Sequence, residues 1–165
     1  MEQSFAMEIL DILAQDARTP AAVIAQMLDS TEAEVSAEIS RLEKEKVLLR
    51  YTTIINEDLT ESESSVHALI EVKVTPQYRQ GYDAIAEQLT RYSEVRACYL
   101  MSGAYDFMVL VDGPSLRDVS RFVTEKLAVL NGVTSTATHF VLRKYKDNHV
   151  TMPFGDDDHR QVVMP

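Results

Sequence analysis

VRACYLMSGAYDFMVLV, residues 95–111, is the stretch that decides the fold of the larger part of the chain. Its apolar and β-branched residues predict two strands, Val95–Met101 and Tyr105–Val111, on either side of a short break. The break consists of Ser, Gly and Ala at 102–104, and small residues at this place favour a turn. We therefore predict two antiparallel strands that are joined by a turn.

The segments on both sides of this strand pair follow a regular order. Apolar residues at helical spacing predict a helix over 78–91 and a second helix that begins at 113–115 and ends at Asn131-Gly132, where a left-handed cap is expected. Two further strands are predicted, one before this pair at Val66–Val74 and one after it at Val133–Leu142. The resulting order, β-α-β-β-α-β, is ferredoxin-like and places both helices on one face of an antiparallel sheet. The opposite face needs cover, and a second copy of the chain is its natural supplier.

The first 50 residues have a helical pattern instead. Three amphipathic helices are predicted, at 4–16, 20–28 and 32–45. Thr19 is expected to cap the second helix with Pro20 in its first turn, and Thr31 with Glu34 matches a capping box at the start of the third helix. The apolar run Val47–Ile55 predicts two short strands. Three helices followed by a strand pair is the winged helix-turn-helix pattern, whose third helix enters the major groove of DNA. A three-helix bundle used only for dimer contact is the alternative.

The predicted fold is therefore α+β, a winged helix-turn-helix followed by a ferredoxin-like β-α-β-β-α-β domain. A polar and acidic run at 56–65 is the best linker candidate, and periodicity stops beyond Lys146. We predict a DNA-binding domain at 1–56, a linker at 57–65, a ligand-sensing and oligomerisation domain at 66–146 and a tail at 147–165.

The charge of the chain constrains its partners. The chain has 165 residues, with 16 Lys and Arg against 26 Asp and Glu, a formal net charge of −10. Residues 1–60 contain five of the basic and twelve of the acidic residues, a net charge of −7. DNA phosphates repel such a partner unless its few cations share one face, so we expect DNA binding to be weak and salt-sensitive.

Several other classes of function find no support in the sequence. The single cysteine, Cys98, excludes a disulfide framework and is expected to be a structural thiol in a strand. His67 and His139 fall in predicted strands without ligand spacing, and the acidic run 156–158 with His149 and His159 matches no ordered metal site. No secretory signal, membrane span, nucleophile elbow, phosphate loop or dinucleotide motif is found. We predict a cytoplasmic protein that is not an enzyme and binds no cofactor, metal or membrane.

Motifs in both halves carry a family resemblance. The N-terminal motifs are ILDIL at 9–13, DART at 16–19 and VSAEISRLE at 35–43. The C-terminal motifs are SGAYD at 102–106 and LNGVTSTAT at 130–138, followed by Val141-Leu142. With these motifs at these spacings, residues 4–146 resemble the Lrp/AsnC family of transcriptional regulators, also called feast/famine regulators. The resemblance implies a DNA-binding helix-turn-helix joined to a ferredoxin-like domain that senses amino acids or related metabolites at contacts between dimers.

Three residues depart from the family pattern. Glu38 stands where members usually have Arg, and Ala37 stands where basic residues are common. Lys46 replaces the usual Gly after the third helix. Because a left-handed Lys costs roughly 1 kcal/mol, the third helix is expected to end differently here.

The predicted DNA contacts follow from the orientation of the third helix. Val35, Ile39 and Leu42 define its buried side, so its outward side holds Glu32, Ser36, Ala37, Ser40, Arg41 and Lys44. We predict DNA contacts from Arg18, Thr19, Thr31, Ser36, Ala37, Ser40, Arg41, Lys44 and Arg50.

The predicted ligand site lies at the turn that follows Leu100. Gly103 permits a close backbone approach whose amides bind a carboxylate, and Asp106 can pair with an ammonium group, which suits an α-amino acid. The predicted ligand contacts are Met101, Gly103, Ala104, Tyr105, Asp106, Thr134 and Thr136. The alternative is that Gly103 only makes a tight turn and Asp106 caps a backbone amide.

The leading interpretation is a ligand-responsive DNA-binding transcriptional regulator that works as a homodimer or a higher homo-oligomer. One alternative is a metabolite-sensing oligomeric partner that has lost specific DNA binding. Another is an enzyme subunit, because sirohaem decarboxylases resemble the same family, although no His and Arg constellation for tetrapyrrole carboxylates is evident.

Overall fold

The computed structural model describes residues 4–60, 65–75 and 81–153 of the chain. The chain divides into two compact units, Met1–Ile54 and Ile55–Pro165, and each unit has its own apolar core. Within the described ranges, no helix combines the length and the apolar character that a membrane crossing requires.

The first unit consists of three helices, as the apolar spacing predicts. They are α1 (Phe5–Gln15), α2 (Ala21–Met27) and α3 (Glu32–Lys44). Their buried faces meet in a small core of Ile9, Leu13, Ile24, Ala25 and Val35. Burial of such a shared face is what stabilises helices this short, since isolated helices of this length are marginal in water.

The starts of α2 and α3 differ in how they are capped. Pro20 is the N-cap of α2, and the hydroxyl of Thr19 instead donates to the carbonyl of Asp16 at 2.8 Å. The prediction that Thr19 caps α2 is therefore wrong. The predicted capping box of α3 is confirmed: Thr31 Oγ1 accepts from the Glu34 amide at 3.2 Å, and Glu34 Oε2 accepts from the Thr31 amide at 3.1 Å. Hydrogen bonds from Ser30 and Thr31 lower the pKa of Glu34.

The end of α3 follows the usual geometry despite its unusual residue. Lys46 has φ +57°, which is the left-handed region. Its amide donates to the Glu43 carbonyl at 3.1 Å, and the Val47 amide donates to the Leu42 carbonyl at 2.9 Å. These two bonds make the Schellman pattern that normally uses glycine. The expectation that α3 ends differently because of Lys46 is therefore wrong.

Replacing Lys46 with Gly should raise the free energy of unfolding of the first unit by about 1 kcal/mol, because Gly removes the left-handed penalty. Amide hydrogen exchange of α1–α3 measures the gain. The matched control, Lys44→Gly, places Gly inside the helix and should lower the same quantity by up to about 1 kcal/mol. Equal losses from both substitutions would contradict the strain at Lys46.

The segment after α3 does not form the predicted wing. Residues 47–55 contain no strand. The side chains of Val47, Leu49 and Ile55 are exposed in spite of their strand-like alternation. An extended segment becomes a strand only when a neighbour completes its ladder of backbone hydrogen bonds, and 47–55 pairs with no segment of the described chain. The first unit is thus a helix-turn-helix without a wing.

The second unit begins with a 3-10 turn, Glu57–Leu59, and continues in the predicted order. Its elements are β1 (Val66–Val74), α4 (Gly81–Thr90), β2 (Val95–Leu100), β3 (Phe107–Gly113), α5 (Leu116–Phe122) and β4 (Val133–Phe140), followed by the short strands β5 (Lys146–Asp147) and β6 (Val150–Thr151). The four long strands form one antiparallel sheet in the order β2-β3-β1-β4. The ferredoxin-like β-α-β-β-α-β prediction is confirmed.

The core of the second unit lies between this sheet and the two helices. Alternate residues of the central strands, such as Ile70 and Val72 on β1 and Phe107 and Val109 on β3, are essentially inaccessible to solvent. They pack against buried residues of the helices, among them Leu89. This alternation fixes which side chains point to the opposite face of the sheet.

Several element ends differ from the prediction by a few residues. The predicted strand Tyr105–Val111 begins only at Phe107. The Asp106 backbone still donates to the Val72 carbonyl and accepts from the Met101 amide, beside the first residue of the strand. α5 begins at Leu116, with Ser115 as its N-cap. β4 ends at Phe140, and Leu142, which was predicted inside that strand, is 98% exposed.

The helix of α5 continues into a π-helical turn at Val123–Leu127. The Ala128 amide donates to the Val123 carbonyl at 2.8 Å, five residues back. Phe122 before the turn and Leu127 at its end are both buried in the core. The predicted left-handed residue after this helix is Gly132, with φ +95°, where a side chain would meet Ile85 and the Thr75 carbonyl at 3.3 Å.

The predicted tail at 147–165 begins with ordered structure. β5 and β6 form a hairpin through Asn148 and His149, which both have positive φ as a two-residue hairpin turn requires. Met152 is buried, and its amide donates to the Tyr145 carbonyl at 3.0 Å. The first residues of the predicted tail, 147–152, therefore pair with each other and pack against the second unit. The acidic run 156–158 and His159 lie outside the described residues.

Candidate functional site

The outward face of α3 is formed by the predicted residues. Val35 and Leu42 are buried and Ile39 packs beside the core. The exposed residues of the face are Glu32, Ser36, Ala37, Ser40, Arg41 and Lys44. The face is mostly small and hydroxylated, so it is sterically open to a groove edge, and its charge depends on few side chains.

Arg41 is held by two carboxylates, Glu38 one turn before it and Glu45 one turn after it. Its Nε lies 2.9 Å from Glu38 Oε2, its Nη2 lies 2.6 Å from Glu38 Oε1, and its Nη1 lies 2.5 Å from Glu45 Oε2. The hydrogen bond from Arg41 lowers the pKa of Glu38, and the bonds to Glu38 and Glu45 raise the pKa of Arg41. We call these three residues the Arg41 clamp. Our sequence analysis identified Glu38 as a departure from the family pattern but did not predict that it pairs with Arg41.

The other predicted DNA contacts have separate surroundings. Arg18 is highly exposed, and its amide and Nε both face Asp16 Oδ1. Lys44 and Arg50 form no ion pair with any residue that the structure describes. Thr19 and Thr31 use their hydroxyls in local turns. Among the predicted cations, Lys44 and Arg50 therefore have positive charges that no described carboxylate neutralises.

The predicted ligand turn, 101–106, lies at the end of β1. Met101, Gly103 and Ala104 are exposed and Tyr105 is half-buried. A side chain at residue 103 would meet open space, so the turn does not require glycine there for room. The turn therefore offers an exposed backbone rather than an enclosed pocket.

Both carboxylate oxygens of Asp106 already accept hydrogen bonds from other groups of the protein. Its Oδ2 accepts from the Val74 amide at 2.8 Å, and its Oδ1 accepts from the Tyr82 hydroxyl at 3.1 Å. This contact raises the pKa of Tyr82. Two roles were predicted for Asp106: a partner for an ammonium group, or a cap for a backbone amide. In the structure its carboxylate caps the Val74 amide. The carboxylate fixes the turn to β1, and an ammonium group would have to displace those bonds.

Thr134 and Thr136 lie on the other side of β1 from the turn. Thr134 Oγ1 donates to the Lys73 carbonyl at 3.1 Å, where the β1–β4 register shifts. Thr136 is paired with Val72, whose other neighbour is Phe107 at the start of β3. The predicted ligand contacts therefore gather at one end of the sheet, on both flanks of residues 72–74.

The sheet face that points away from the helices is the second feature of this unit. We call it the open sheet face. Its central residues are Leu69, Glu71, Met108 and Leu110, flanked by Ala97 and Tyr99 on β2 and by Ala137 and His139 on β4. Leu69 lies between Leu110 and His139, and Leu110 is paired with Ala97, so an apolar row crosses three of the four strands and ends at His139.

Two further features of this unit have structural explanations. Cys98 packs against the core, and burial raises the pKa of its thiol, which fits the predicted structural role. A cleft of about 410 Å³ lies between the end of β3 and α5. It is lined by two ion pairs, Glu94–Lys126 and Asp118–Arg121. Within each pair the two charges neutralise each other.

Comparisons with known proteins find a matching family model and relatives that cover most of the chain. Residues 67–151 match the family model of the Lrp/AsnC ligand binding domain. The chain is 45% identical over 158 residues to an uncharacterized HTH-type transcriptional regulator, YugG, of Bacillus subtilis, covering 96% of this chain and 95% of that protein. It is 29% identical over 139 residues to the HTH-type transcriptional regulator LysM of Saccharolobus solfataricus, covering 84% of this chain and 92% of that one.

Solved structures show the same fold. E. coli AsnC superimposes with a TM-score of 0.65 at 17% identity, covering 87% of this chain and 94% of that one. A transcriptional regulator from Neisseria meningitidis, crystallised as a complex with L-Met, superimposes with a TM-score of 0.71 at 18% identity, covering 93% and 97%. The relatives are transcriptional regulators, and the chain itself belongs to the Lrp/AsnC family.

Proposed function

We propose that the chain is a ligand-responsive transcriptional regulator whose helix-turn-helix, within residues 1–56, contacts DNA through α3. The observation that carries the proposal is the outward face of α3, where every residue predicted to face outward is exposed. In a helix-turn-helix this face lies in the major groove, while cations near its ends contact phosphates. The proposed contacts are Arg18, Thr19, Thr31, Ser36, Ala37, Ser40, Arg41, Lys44 and Arg50.

A gel-shift titration against the region upstream of the protein's own gene should show binding that depends steeply on salt. If Arg18, Lys44 and Arg50 of two protomers contact phosphates, affinity should fall about 1,000-fold between 50 and 200 mM salt. An unrelated fragment of equal length is the control for specificity. Absence of binding at 50 mM salt would contradict the proposal.

The second part of the proposal is an effector site at the end of the sheet, within residues 66–146. Exposed amides at Gly103 and Ala104, with Met101 and Tyr105 beside them and Thr134 and Thr136 nearby, suit the carboxylate of an amino acid. Asp106 takes the role of fixing the turn, since both of its oxygens are bonded. L-methionine is the first amino acid to add to the gel shift, because the Neisseria meningitidis regulator was crystallised with it. An effector changes DNA affinity only through its preference for one assembly.

We propose that the open sheet face is where two copies of the chain meet, and that dimers associate further. An antiparallel sheet with helices on one side leaves its other side to be covered, and the row through Leu69 and Leu110 is apolar.

The proposed linker and tail are residues 57–65 and 147–165, and the proposed location is the cytoplasm. We further propose that the chain is not an enzyme.

One observation favours a second candidate function. The Arg41 clamp neutralises a cation of the α3 face, in a region with a net charge of −7. Such a helix suits a metabolite-sensing oligomeric partner that has lost specific DNA binding. The gel shift at 50 mM salt separates the two functions, because this candidate predicts no specific complex.

A further inference from the structure

His67 lies between two carboxylates from different parts of the second unit. Its Nδ1 is 2.6 Å from Asp112 Oδ1 on β3, and its Nε2 is 2.6 Å from Glu57 Oε2 in the 3-10 turn. The imidazole is only 11% exposed. Sequence spacing did not reveal this arrangement, because Glu57 and Asp112 are 10 and 45 residues away from His67.

The geometry determines how many protons the ring carries. An ionised carboxylate only accepts hydrogen bonds, so both ring nitrogens must donate, and only the imidazolium form has two N–H groups. Burial acts to raise the pKa of Glu57, but hydrogen bonds from His67 and Lys144 outweigh it and lower that pKa. Glu57 therefore stays ionised, and a neutral ring would leave one carboxylate against a nitrogen lone pair.

The surrounding charges decide which contact breaks when the ring loses its proton. Lys144 Nζ lies 3.1 Å from Glu57 Oε1, and Arg96 Nε lies 3.8 Å from Asp112 Oδ2, while Arg143 lines the same corner. Each carboxylate thus retains a cation. Asp112 is paired directly across from His67 in the sheet, whereas Glu57 belongs to a three-residue turn. The Glu57 contact is the weaker attachment.

We propose that His67 is a proton-operated latch that fixes the 57–59 turn against the sheet and releases it as the pH rises. When the ring loses one proton, one of its two nitrogens can no longer donate, and the contact to Glu57 is the one that breaks. At acid pH the latch also opens, as Glu57 takes up a proton below its lowered pKa. Release adds residues 55–59 to the chain that joins the two units, at up to about 3.3 Å of reach for each residue. The latch itself does not depend on the proposed DNA binding.

The test uses the full-length chain labelled with ¹⁵N. Long-range ¹H–¹⁵N spectra from pH 5 to 9 report the protonation of each histidine ring, with the His67 signals assigned from a His67→Gln variant. Amide exchange at 55–60, corrected for intrinsic rates, is measured over the same range. We expect doubly protonated His67 at the low end, and about a tenfold or greater loss of protection as that ring loses its proton.

Two variants separate the latch from general pH effects. Glu57→Gln offers an amide that can donate to a neutral ring, so the pH dependence of protection should disappear while the fold remains. His139→Gln is the matched control, because His139 is 59% exposed and faces one carboxylate, Glu71, at 3.2 Å; it should leave the transition unchanged. A neutral His67 ring at pH 5, or constant protection while His67 titrates, would overturn the latch.

Discussion

Replacing Glu38 and Glu45 together with Gln should raise the affinity of the chain for DNA by about 10- to 100-fold at 50 mM salt. The substitutions open the Arg41 clamp, in which the guanidinium is bonded to both carboxylates. Arg41 then becomes available to a phosphate or a base edge, and the slope of log affinity against log salt should steepen by about one for each protomer. Gel shift or fluorescence anisotropy from 50 to 200 mM salt measures both quantities.

A second double variant, Glu32→Gln with Glu43→Gln, is the matched control. It removes the same charge from the same helix, but neither residue contacts Arg41, since Glu43 accepts instead from the Tyr51 hydroxyl. Adding Arg41→Ala to the opened clamp should abolish the gain. Equal gains from both double variants would mean that net charge alone sets the affinity and that the clamp has no specific effect.

Leu110→Glu should weaken dimerisation by roughly 100-fold or more. The substitution places a carboxylate in the middle of the open sheet face, beside Leu69. In a two-fold interface the same residue enters from both copies, so two charges are desolvated close together. Sedimentation velocity from 1 to 100 μM measures the change, and circular dichroism reports whether the fold is retained.

Leu142→Glu serves as the control for the interface. Leu142 is 98% exposed and lies outside the sheet, so the same change of side chain should leave the assembly as it is. If Leu110→Glu assembles like the unchanged chain, the copies meet through another surface.

The sequence predicts the elements of this protein better than their ends. Alternation along Val66–Val74 and helical spacing in α1–α3 and α4 reflect burial within one element, so they are visible in a single segment. The ends depend on bonds that the sequence does not display. β3 begins at Phe107 instead of Tyr105, next to Asp106, whose carboxylate binds the Val74 amide of β1.

The predicted wing fails for a related reason. Residues 47–55 have the composition of strands, but a strand needs a neighbour, and composition does not reveal whether one is present. Lys46 shows the opposite case. The Schellman bonds and the fixed path of the chain impose a left-handed residue even where the side chain disfavours it.

In the candidate site too, features within one helix were predictable, and contacts between distant segments were not. Exposure of the α3 face follows from three positions that face the core in one helix, and it was predictable. The Arg41 clamp is also local, at spacings of three and four residues, and could have been read from the helix. The hydrogen bonds of Asp106 to Val74 and Tyr82 join residues that are 32 and 24 positions apart in the sequence. They could not be predicted before the fold was known.

The π-helical turn after α5 indicates that one residue was inserted into this helix during evolution. In a regular α-helix, residues five apart are rotated by about 140° and would not share a face. Phe122 and Leu127 are five apart and both buried, because the wider turn between them absorbs one residue. The segment therefore has the layout of an ordinary helix with a single-residue insertion. Among proteins descended from a common ancestor, gains and losses of one residue in this helix should fall within 123–127, where the core tolerates them.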